Sequence, residues 1–251
     1  MVPKRLALHP GTANPLAAFG LIGGMVFPIL MFPAAILYGL AELLIPELAR
    51  CAASGSRRRI RYLTIQSLRV AILYGILFSG LEFLLAEPLC LRFYKNADAG
   101  FWLRLYALLI PMLYCDAITD AIIKGLGQQK ACVRYNILTN SLDVILLFFL
   151  MPHYGLKGYY LSFLITHLIN FLLSLRRLLR ITGIHFHISV PLKLLTGFTL
   201  SLGMVSCFPQ PSYRLIAYPP VLCAILTLLG VISRKDLGWI KGLVLHTRQP
   251  D

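Results

Sequence analysis

Long apolar tracts, recurring at about the length of a bilayer-crossing helix, constrain this chain more than any other feature. A spanning helix needs about 20 mostly apolar residues. Seven stretches qualify, at roughly 17–45, 66–86, 99–123, 133–152, 157–176, 190–208 and 214–232. With 58% hydrophobic and 14% charged residues and a mean hydropathy of +0.74, the chain is too apolar for a soluble domain of 251 residues. The expected fold is all-α, a polytopic transmembrane bundle of about seven spanning helices. The formal charge of +14 does not indicate a nucleic-acid partner, because the basic residues fall in short stretches between apolar runs, as positive-inside bias requires.

The connections read as turns. "CAASGSRRRIR" and "GLGQQKACVR" are short and polar, and "MPHYGLKG" carries Pro152, Gly155 and Gly158 as a tight hairpin centred near Tyr154. If the loop with Arg57, Arg58 and Arg59 is cytoplasmic, 17 of the 24 basic residues share its side and seven take the other. That split places the N-terminus outside and the C-terminus in the cytoplasm. The apolar run after Lys4 and Arg5 is too long for a signal-peptide core and reads as a mature helix. Six cysteines without a C-x-x-C pair indicate neither a zinc site nor a disulfide framework.

Three local patterns, "GGMVFPILMFPAAILYGLAELLIPELA", "IIKGLGQQKA" and "FLMPHYGLKGYYLSF", resemble the C-terminal half of the stage V sporulation protein B group. These are polysaccharide-biosynthesis membrane proteins of the multidrug/oligosaccharidyl-lipid/polysaccharide exporter superfamily. The resemblance implies a bacterial cell membrane, two six-helix lobes plus two extra helices, and alternating access. Residues 1–182 would supply five helices of the C-terminal lobe, and 183–251 two additional helices and a cytoplasmic tail. The missing lobe would come from a partner chain or self-association, unless the chain is a truncated gene product. Related lipid II flippases resemble the chain around Phe32 and Pro33, but they carry a charged Asp-Arg pair where Phe27 and Pro28 stand here. That departure disfavours lipid II and leaves another undecaprenyl-linked saccharide as the implied substrate.

Candidate residues fall into two sets. In the first tract Pro28 and Pro33, with Gly24 nearby, would kink the helix, and such a break survives in lipid only where protein or water takes up the freed carbonyls. This makes the tract either a cavity-lining hinge or a static bend. Glu42 on the same helix is a gate element or a partner for a basic residue, while Glu47 has arginine neighbours and reads as solvated. The second set is intramembrane. Asp116, Asp120 and Lys124 recur every fourth residue and share a face; an Asp120–Lys124 ion pair is expected rather than magnesium chemistry, which needs more clustered carboxylates.

Asp143 lies eleven residues before Tyr154 and His167 thirteen after it, so an antiparallel hairpin sets them nearly level. Asn140 is then level with Asn170, and Asn136 with Ser174. The two polar stripes read either as interhelical glue or, through an Asp143–His167 pair, as a proton-exchange site. His185 and His187 lack a third ligand and read as linker residues rather than a metal site. No cofactor, metal or covalent chemistry is expected. The expected function is flipping of a lipid-linked saccharide, with membrane lipids as surroundings. A drug or cation antiporter using Asp143 or Asp116 is the alternative, and a membrane-embedded transferase is weaker because the loops are short and poor in acids.

Overall fold

The computed structural model describes residues 2–10, 14–184 and 189–231. Among these the regular structure is entirely helical, and each of the seven expected tracts is mostly helical over its described residues. The chain divides into two compact units, Met1–His185 and Phe186–Asp251. His185, His187 and the basic tail from Arg234 lie outside the described residues.

In the larger unit a short α1 (Val2–Leu6) precedes a bent helix built from α2 (Pro15–Gly20), a π-helical segment Leu21–Val26, α3 (Phe27–Met31) and α4 (Ala34–Ala53). α5 (Arg57–Tyr94) follows, then α6 (Ala97–Ala107), α7 (Ile110–Gly125) and α8 (Gln129–Thr182). The second unit holds α9 (Ser189–Ser206) packed on α10 (Pro211–Leu228). Among the described residues three helices, α5, α8 and α9, are long and apolar enough to cross a membrane when each is taken whole, or up to five if each bent pair is one span. α10, which holds the tract at 214–232, falls outside that set. Arg214 and the internal Pro219 and Pro220 reduce its apolar character.

α8 is not one rod. Gly155 adopts φ 55° and ψ −132°, a conformation that a Cβ would strain, and the chain reverses there. Asp143 and Ser162 would stand about 28 Å apart along a continuous helix at 1.5 Å per residue, yet their side chains meet at 2.6 Å. The limbs 129–154 and 156–182 are therefore antiparallel, and the turn expected near Tyr154 falls at its neighbour. Gly158 lets the limbs close, since a Cβ there would lie 2.5 Å from Leu150 O.

The α6–α7 pair is the pillar of the unit. Leu103, Tyr106, Ile110, Ile118, Ile122 and Ile123 are fully buried, with α5 against both helices and α4 and α8 against α7. Gly75 of α5 brings its backbone against Pro111; a Cβ there would sit 2.8 Å from Pro111 Cα. α6 and α7 meet at a bend of 53°, where the tract at 99–123 reads as straight. Pro111, at the start of α7, marks the break.

The surface is the reverse of a soluble protein's. Phe32 is 82% exposed, Leu43 72% and Ile216 71%, whereas Thr64, Ser79, Thr119, Ser162 and Ser174 are fully buried. Large apolar side chains outward and small hydroxyls inward suit a solvent of lipid tails, which gives helices no hydrophobic reason to associate and leaves packing and polar contacts to do so.

Candidate functional site

The central polar feature is a seam along the second limb of α8. Every fourth residue from Ser162, namely Thr166, Asn170, Ser174, Leu178 and Thr182, is buried, forming one stripe. Ser162 donates to Asp143 Oδ1 at 2.6 Å, and Thr166 reaches the same oxygen at 3.5 Å. Thr139 donates to Asn170 Oδ1 at 3.5 Å. The stripe also meets α7: Asn170 Nδ2 donates to Asp116 Oδ2 at 3.0 Å, and Ser174 to Asp120 Oδ1 at 2.9 Å. These two rungs keep a constant offset, so α7 and the second limb run parallel. One face of one helix thus joins three carboxylates from two other segments.

The geometry alters the partners expected from depth alone. Asp143 and His167 form no hydrogen bond among the described residues. His167 Nδ1 is 3.0 Å from Phe163 O, and its ring stacks on Phe163 with centroids 3.8 Å apart. Asn140 is exposed and Asn170 is held by Asp116 and Thr139 instead, while Ser174 bonds Asp120 rather than Asn136. Counting from a turn fixes level, but neighbouring residues on a helix lie about 100° apart. Thr139 and Asp143 face the second limb, and Asn140 is turned away. Lys124 is exposed and forms no ion pair with Asp120 among the described residues.

The bent first helix carries the other candidates. Pro15–Met31 and Ala34–Ala53 meet at 62°, with Pro33 buried at the joint. Its carbonyls there are met by tyrosines from the pillar and its neighbour. Tyr74 donates to Pro33 O at 2.8 Å, and Tyr114 to Leu30 O at 3.4 Å. The α6–α7 bend is served in the same way. Leu109 N bonds Tyr106 O rather than Leu105 O, and Tyr160 donates to Leu105 O at 3.3 Å. Gly24 and Pro28 are exposed, and a Cβ on Gly24 would meet nothing within 4 Å. Glu42 is exposed on α4. Glu47 pairs with Arg59 at 2.7 Å and lies 3.6 Å from Arg50. Phe27, where lipid II flippases have charge, packs against Tyr106 and Phe163 with centroids at 5.2 and 5.5 Å.

Glu82 on α5 is a further buried acid, one that motif and spacing did not single out. It is 4% exposed, and neither carboxyl oxygen has a hydrogen-bond partner. A signal for it exists in the sequence: Ala71, Gly75, Ser79, Glu82, Ala86 and Cys90 recur at intervals of three or four and are all buried. The acid interrupts a stripe of small residues, the inward face of a membrane helix. Asp116 Oδ1 is likewise buried without a partner. Ionisable groups held inside a membrane bundle usually mark a transport path.

A protein-family comparison matches residues 7–149 to the family described as MatE. No curated protein and no solved structure matches the chain.

Proposed function

We propose, from the premise that this chain belongs to the MatE family, that it moves a lipid-linked saccharide across a bacterial cell membrane by alternating access. Its family consists of transporters, and its exposed apolar helices make it a membrane protein. The observation that carries the mechanistic reading is the buried seam joining Asp143, Asp116 and Asp120 to one face of α8. In lipid a polar seam has two uses. It holds helices together at roughly 0.6–2 kcal/mol per contact, and it offers a path on which charge is exchanged as helices shift. Three carboxylates facing neutral hydroxyl and amide donors serve the second use, because a cation or proton can replace a donor without leaving a new buried charge unpaired.

The substrate assignment rests on the three motif resemblances. The prolines at 28 and 33 supply a bent helix of the kind that lines a cavity. A drug or cation antiporter of the same superfamily is supported equally by the carboxylate seam. Proteoliposomes loaded with a fluorescent undecaprenyl-linked saccharide separate the two readings. The flippase reading expects protein-dependent exposure of the saccharide to an external lectin. Efflux of cationic dyes without any saccharide movement would replace it with the antiporter.

A further inference from the structure

At one end of the larger unit, positive charge gathers where two helices meet. α5 opens with Arg57, Arg58 and Arg59, with no acid in its first turn and no side-chain cap from Ser56. The end of α8 lies beside it, since Arg61 Nε donates to Thr182 O at 2.9 Å. Arg176, Arg177 and Arg180 occupy the last turns of α8. Glu47 answers Arg59 and Arg50, and Arg177 is engaged by Gln128. Among the described residues Arg57, Arg58, Arg176 and Arg180 are exposed, and their side chains have no hydrogen-bond or ion-pair partner.

The next two turns of α5 indicate the kind of anion. Arg58, Tyr62 and Ile65 stand at i, i+4 and i+7 and share a face, and Tyr62 is 58% and Ile65 52% exposed. Cations succeeded within two turns by an outward aromatic and an outward aliphatic side chain match a headgroup and the chain beneath it. Tyrosine favours that boundary. Free phosphate would engage the arginines and leave the apolar half unused. We propose that the start of α5 and the end of α8 form a binding site for anionic phospholipid, with its phosphate against Arg57, Arg58 and Arg180 and its acyl chain along Tyr62 and Ile65.

Native mass spectrometry of the full chain in neutral detergent tests this by titrating phosphatidylglycerol against phosphatidylcholine. The wild-type protein is expected to retain phosphatidylglycerol preferentially. Arg57→Gln/Arg58→Gln should weaken that binding by roughly 30-fold, while Arg92→Gln/Lys157→Gln, which removes two exposed cations elsewhere, leaves it unchanged. Excess inorganic phosphate should not displace the lipid. Equal binding of both lipids, equal loss in the two double variants, or displacement by inorganic phosphate would overturn the proposal. The wild-type lipid comparison and phosphate competition decide the matter even if a variant fails to fold.

Discussion

Asp143 accepts from two hydroxyls one turn apart, so an asparagine in its place keeps an acceptor oxygen and loses only the charge. Asp143→Asn should therefore cost less than about 1 kcal/mol of stability but abolish cation-dependent transport, read as uptake or efflux against an imposed gradient. Unchanged ion dependence would reduce the seam to glue. Glu82 presents the opposite case. Both its oxygens lack a partner, and removing an unpartnered buried polar group in favour of an apolar one of similar size relieves its desolvation cost. Glu82→Leu is expected to stabilise the protein by about 1–3 kcal/mol, seen as a higher midpoint of thermal unfolding in detergent. A lower midpoint would show that the carboxyl is engaged. Neither residue's partner set was legible in the sequence, because spacing gives the face of a helix and its depth but not which neighbour that face meets.

The helical elements were far more legible than their joints. "MPHYGLKG" announced a reversal because proline lacks the N–H that a helical ladder needs and glycine accepts the positive φ of a turn, and the reversal falls at Gly155. Gly155→Ala forces an L-residue into φ 55° and brings its Cβ within 3.3 Å of the His9 ring. It should lower stability by about 1–3 kcal/mol, and an unaltered unfolding midpoint would mean that the turn relaxes without cost. Pro111 carried the same kind of signal for the α6–α7 bend. There the apolar run continues through the proline, so pattern alone shows one helix where the backbone makes two. The tyrosines that hold the bends were invisible for another reason: Tyr74, Tyr114 and Tyr160 lie 41, 84 and 55 residues from the carbonyls they reach. Tyr114→Phe should cost about 1 kcal/mol in the same unfolding measurement, and no change would show the bend to be set by proline alone.

At the scale of the whole molecule, the proposed topology passes helices back and forth across a bilayer, and within the larger unit the Arg61–Thr182 and Arg177–Gln128 contacts bring the arginine-rich turns to one end. Composition made the membrane evident, since no soluble core absorbs so many large apolar residues. The number of crossings was less plain, because bends divide some spans and a glycine folds one long helix in two. Sided thiol labelling in a cysteine-free background tests the arrangement most directly. Ser54→Cys, Gln129→Cys and Ile184→Cys should react with an impermeant maleimide only from the cytoplasmic side, and Ala97→Cys and Tyr154→Cys only from the outside. Labelling of Ser54→Cys and Tyr154→Cys from the same face would contradict the fold as a membrane lobe.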